Sequence, residues 1–141
     1  MRTYYIFKIN PLFNTINRKN STSIYKLLKK IKIMNKRDIN VGKNIYKRLV
    51  IPLNKELLNN YILSNHINDV YYIKNNRNHY LESIYEISKL SIYNSYLKIE
   101  TNINISTFFK DIYPISDNMI CIDFDNIDYF FLDDLKEKLL V

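Results

Sequence analysis

Hydrophobic and polar positions along this chain follow two periods, and the switches between them mark its elements. Thr3 to Ile9 (TYYIFKI) reads as a strand. Asn10-Pro11 ends it and opens a short helix, because proline at a first helical position gives up no needed hydrogen bond. Phe13 then falls on the first turn. Ser21 is placed to cap a second helix, in which Ile24, Leu27, Leu28 and Ile31 keep the i, i+3, i+4, i+7 spacing of a core-facing stripe and Lys26, Lys29 and Lys30 lie opposite. Asp38 or Asn40 starts a third helix through Ile45 and Leu49, weakened at Gly42 by about 1 kcal/mol relative to alanine and ended by Pro52. Residues 54–64 place Leu57, Leu58, Tyr61 and Ile62 on one helical side.

In the second half, Asp69 to Lys74 reads as a short aromatic strand and KNNRNH as a turn. Residues 80–90 fit two templates. Leu81, Ile84, Tyr85 and Ser88 have helical spacing, whereas the Tyr and Ile content suits a strand, and the reading taken is helix or irregular structure. Ser95 to Thr101 alternates Tyr96, Lys98 and Glu100 against Leu97 and Ile99. Ser106 can cap a helix carrying Phe108, Phe109 and Ile112, which Pro114 terminates. Ile120, Ile122 and Phe124 then alternate with Cys121, Asp123 and Asp125, and segments 119–124 and 128–132 make a hairpin. Asp133 or Asp134 opens a closing helix with Lys136 and Lys138 toward its C-terminal end, where cations suit the helix dipole. The expected fold is α+β: a single domain over residues 1–141, with a small mixed or antiparallel sheet and helices packed on it.

Composition narrows this picture. A chain of 141 residues with 47% hydrophobic and 14% aromatic content can build one core and is too short for two ordinary domains. The single cysteine, Cys121, excludes an intrachain disulfide and a zinc cluster and fits a reducing compartment. MRTYYIFKIN lacks the apolar run of a signal peptide, and no stretch reaches the roughly eighteen apolar residues of a membrane span, so the expectation is a cytoplasmic protein. Abundant Asn, Ile, Lys and Tyr with one Gly is the signature of an AT-rich genome. Charge is nevertheless segregated: residues 1–60 carry net +12 and residues 61–141 net −5, an asymmetry that suits a nucleic acid or an acidic protein partner.

Catalytic signals are sparse. Asp123 and Asp125, with Asp128 nearby, are hard oxygen ligands of the kind that hold a divalent cation, but a solvated strand face running into a polar turn accounts for them more simply. His66 and His79 stand in Asn-rich segments without metal-ligand spacing and read as surface side chains. No nucleophile elbow, Cys/His pair or Gly-rich phosphate loop is present, so neither an enzyme nor a cofactor is expected. The basic stretch 18–48, with Tyr25 and Tyr46 interleaved, is an alternative nucleic-acid surface through phosphate neutralisation and base stacking.

Two segments carry a resemblance. Thr107 to Leu132 (TFFKDIYPISDNMICIDFDNIDYFFL) has an aromatic helix, a loop with Ser, a strand ending Asp-Phe-Asp, a short turn, then aromatics and Leu. It resembles the C-terminal signature of the sporulation inhibitor of replication family, SirA. Tyr4-Tyr5, the apolar strand and Phe13 match that family's opening. The resemblance implies a non-catalytic negative regulator of replication initiation, a monomer that docks one-to-one on the N-terminal domain of the initiator DnaA. Phe13, which by itself also reads as an ordinary core residue beneath the short helix, then stands at a family contact position. The family's second contact, an aromatic one turn later, falls at Asn17, a departure that leaves Ile16 or Arg18 to fill the site. Lys43-Asn44-Ile45 is similar to the family's Lys-Gln-Ile, which makes Asn44 a third contact with a shorter amide.

Overall fold

The computed structural model describes residues 1–13, 21–34 and 36–135. Its centre is strand β1 (Arg2–Lys8), which pairs antiparallel on one side with β5 (Leu97–Thr101) and on the other with β6 (Met119–Asp123). Outward from β5 lie β4 (Ile87–Ile92), β3 (Asn78–Glu82) and β2 (Tyr72–Asn75), and outward from β6 lies β7 (Asp128–Phe131). The order is β2-β3-β4-β5-β1-β6-β7, with every pair antiparallel. Helices α1 (Ser21–Lys32), α2 (Ile39–Leu49), α3 (Lys55–Asn65) and α4 (Thr107–Ile112) complete an α+β domain. Among the described residues, no helix is long and apolar enough to cross a membrane.

The period-two alternation of β1 and β6 feeds two cores, one on each face of the sheet. Tyr4, Ile6, Leu97, Ile99, Leu90 and Cys121 face Leu58 and Ile62 of α3 and Phe108, Phe109 and Ile112 of α4. Phe108 and Phe109 are fully buried, and Tyr4 meets Phe109 edge-on at 5.2 Å between centroids, the geometry that aromatic quadrupoles prefer. On the opposite face Phe7, Ile120, Ile122 and Phe131 pack under Ile24, Tyr25 and Leu28 of α1 and Leu49 of α2. Each such large apolar side chain contributes about 2 kcal/mol by leaving water. Because both faces are covered at β6, its second face is not solvated: Cys121 is fully buried and Asp123 nearly so.

Three further expectations are corrected. Residues 78–92 form a hairpin of two strands rather than a helix, since His79, Leu81, Ser88, Leu90 and Ile92 alternate inward, while Ile84 and Tyr85 sit in the exposed turn between them. Leu57 points to solvent, and only Leu58 and Ile62 of its helix are buried. Asp133 and Asp134 lie in a 3-10 turn, Leu132–Leu135, and the rest of the expected closing helix lies outside the described residues.

Glu86, at the end of that exposed turn, is a buried carboxylate. It accepts hydrogen bonds from the hydroxyls of Ser88 and Thr107, from Ser106 Oγ at 2.8 Å and from the Thr107 amide at 3.0 Å. Ser106 in turn accepts from the Phe108 amide and caps α4. Burial alone would raise the Glu86 pKa, but these donors outweigh it and hold it below the ordinary value.

Gly42 acquires a reason that helix propensity does not supply. A methyl group on it would lie 2.6 Å from Met34 Sδ, so the glycine lets the segment after α1 cross α2 closely. Gly42→Ala is therefore expected to gain much less than the roughly 1 kcal/mol its helix propensity offers, because the thioether must move. The full gain should return in a Met34→Ala background, a coupling that urea unfolding of the four-member cycle measures.

Candidate protein-docking site

Two of the three expected contacts, Phe13 and Asn44, fall just past β1's exit and on α2. Backbone bonds tie that exit to the end of α2: Ile51 N to Lys8 O and Asn10 N to Leu49 O, both 2.8 Å, with Ile9 bridging Val50. Asn10 acts as a bracket. Its Nδ2 donates to Arg48 O at 3.1 Å, and its Oδ1 accepts from Leu12 N at 3.1 Å, an Asx turn that starts the 3-10 turn Pro11–Phe13. Phe13 N closes this turn onto Asn10 O at 2.9 Å.

Phe13 is 41% exposed and Leu12 78% exposed. The Phe13 ring borders a shallow apolar depression of about 280 Å³, shared with Ser23, Ile24 and Leu27 of α1 and Leu49 of α2. Asn44 is exposed on α2, one helical turn before the Arg48 whose carbonyl Asn10 holds. Two of the three expected contacts therefore occupy adjoining elements, and Asn17 lies outside the described residues. Around them Lys26, Lys43, Lys47 and Arg48 are exposed.

The acidic turn is a salt-bridged corner. Arg2 Nε contacts Asp123 Oδ2 at 3.0 Å and Arg2 Nη2 contacts Asp128 Oδ2 at 2.9 Å. Asp123 also accepts from Asn126 N and Nδ2 at 3.2 and 2.6 Å. Burial pushes the Asp123 pKa up, but Asn126 and Arg2 together carry it below the ordinary value. These bonds hold a turn in which Ile127 adopts φ 53°, a conformation costly for a β-branched residue. Asp125 is exposed. Among the described residues, no group of three or more His, Cys, Asp or Glu side chains is arranged to hold a metal ion.

Both histidines are buried, contrary to the surface reading. His66 caps the C-terminal end of α3, where positive charge suits the dipole. Its Nε2 lies 2.6 Å from Asp111 Oδ2 and its Nδ1 3.2 Å from Asp69 Oδ2. Burial lowers its pKa, but the two carboxylates, Asp111 foremost, raise it above the ordinary value on balance. His79 Nε2 donates to Asn59 Oδ1 at 2.8 Å, and its Nδ1 accepts from Tyr72 Oη at 2.6 Å. Burial, helped by Lys74 and His66, pushes its pKa down to about 4. Tyr72 links the two: its ring stacks on His66 at 4.9 Å while its hydroxyl serves His79.

A feature that sequence reasoning missed is a groove of about 440 Å³ between α1, α2 and the sheet, walled mostly by aromatic rings. Its ring-bearing residues come from positions 5, 7, 46, 96 and 124, so no local window reveals it. The unusual Tyr count was the available signal. No protein-family model and no curated protein matches this chain.

Proposed function

We propose that this domain is a protein-docking inhibitor that occupies the N-terminal domain of the replication initiator DnaA through the Phe13 turn and the adjoining α2 face. The observation that carries the proposal is Phe13 itself. An aromatic held 41% exposed on a hydrogen-bonded turn, beside an apolar depression, is the kind of pre-ordered anchor that dominates small interfaces. The flanking Lys26, Lys43, Lys47 and Arg48 would steer an acidic partner surface and accelerate encounter at low salt. The resemblance of both chain ends to the SirA family names the partner. Inhibition then needs no chemistry, since a domain that covers the initiator's own assembly surface blocks it sterically.

Titration calorimetry against the N-terminal domain of the host's DnaA tests this reading. Saturable one-to-one binding is expected, weakened by about 2 kcal/mol, roughly thirtyfold, in Phe13→Ala. Asn44→Ala should have a smaller effect. Unchanged affinity in a folded Phe13→Ala variant would overturn the site, and absence of binding by the wild type would overturn the partner.

A further inference from the structure

The groove belongs to a longer row of rings. Tyr93 stacks on Tyr96 at 4.7 Å, Tyr96 meets Tyr5 at 5.8 Å, Tyr5 meets Phe124 at 5.7 Å, and Phe124 stacks on Tyr25 at 6.1 Å. All but Tyr25 are half-buried, with part of each side chain open to solvent. Cations stand over the row from end to end: Arg77 over Tyr93 at 5.0 Å, Lys98 over Tyr5 at 5.9 Å, Lys32 over Phe124 at 4.4 Å and Lys29 over Tyr25 at 5.9 Å. Glu100 lies 3.6 Å from Lys98 in a part-exposed pair that a phosphate can displace.

The row lies where α1 and α2 stop covering their face of the sheet. Beyond it that face continues across β5, β4, β3 and β2 with Glu100, Lys89, Tyr80 and Ile73 in register, none of them buried. Lys89 again stands over an aromatic, Tyr80, at 5.8 Å. At the groove, Tyr46 Oη donates to Ser95 Oγ at 2.8 Å, which leaves the serine proton to donate onward.

We propose that this face binds a single-stranded nucleic acid, with one unpaired base in the groove against Tyr96 and Tyr5 and the flanking phosphates on Lys32, Lys98 and Arg77. Flat rings accompanied by cations that can swing out to phosphates match a strand, whose repeat is a π-face and an anion, and stacking of this kind tolerates any base. A folded acidic protein offers the charge without the planar groups, and a duplex keeps its bases paired. A free nucleotide would use the groove and leave the rest of the row idle. The surface is distinct from the Phe13 turn, so the two activities stand or fall separately.

The test is fluorescence anisotropy of a short labelled oligothymidylate, with thymidine monophosphate and a matched duplex as competitors. Saturable binding is expected, with affinity falling with salt at a log–log slope of about −2 for three phosphates contacted. Tyr96→Leu, which keeps apolar bulk without a stacking face, should weaken it about tenfold, and Tyr96→Phe should restore it. Lys32→Gln should flatten the slope by about 0.7. Equal affinity in Tyr96→Leu, competition by duplex as strong as by single strand, full competition by the mononucleotide at equal concentration, or no saturable binding would each overturn the proposal.

Discussion

Glu86→Ala is expected to cost the domain about 3 kcal/mol of folding stability. The carboxylate is buried and gathers three hydroxyl donors and one amide, and hydrogen bonds to a charged group are worth about 1.5–3 kcal/mol each in net stability. Alanine leaves those donors facing a void. Ser88 retains Thr101 at 2.8 Å, so the loss stays below the full sum. Glu86→Gln should cost about 1 kcal/mol, because its oxygen still accepts and the hydroxyls can turn toward its amide. Its depressed pKa gives a second signature. A carboxylate held below its unfolded value stabilises above that value and loses the contribution as pH falls through the folded one. Urea midpoints for both variants decide the matter, and an unchanged midpoint in Glu86→Ala would show that the cluster is bystander packing.

The two buried histidines should shape the stability profile on both sides of the ordinary histidine pKa. His79 has a folded pKa of about 4 against 6.5 when unfolded, so between those values the unfolded chain binds more protons and stability rises with pH. Acidification from pH 6.5 to 4 should therefore remove about 3 kcal/mol through this one side chain. His66 works in the other direction. Its pKa is raised in the fold, so its contribution is complete below pH 6.5 and is lost as pH rises through the folded value. The histidines together place a maximum near pH 6.5. Thermal unfolding of wild type and His79→Gln across this range checks it: the variant should lose far less on the acid side, and parallel curves would show that His79 titrates normally.

What the sequence disclosed and what it hid divide along a physical line. The stripe of Ile24 and Leu28, the cap at Ser106 and the hairpin at 119–132 are set by neighbours within a few residues, and a local period reveals them. The hairpin of β3 and β4 was obscured because its turn is built from Ser83, Ile84 and Tyr85, closed by Ser83 Oγ accepting from the amides of Tyr85 and Glu86, with no Gly, Pro or Asn to announce it. Its exposed Ile84 and Tyr85 mimic a helical stripe. His66 looked solvated among asparagines because its main partner, Asp111, is 45 residues away. Phe13 was legible as a residue following a strand and a proline, whereas the Asn10 bracket that presents it depends on Arg48 and Leu49.

The position of β1 at the middle of the sheet also has a consequence for how the chain comes into being. Residues 2–8 have no pairing partner until 97–101 and 119–123 exist, and ribosomes elongate at about 5–20 residues per second. For roughly 5–20 s of synthesis, until β5 is complete, the nascent strand therefore carries Tyr4, Ile6 and Phe7 unpaired, with both edges open. The meander β2-β3-β4-β5 joins sequence neighbours and can close first at small loop-closure cost. Insertion of β1 between β5 and β6 is then the late, high-contact-order step, and the interval before it is when this protein most needs a chaperone.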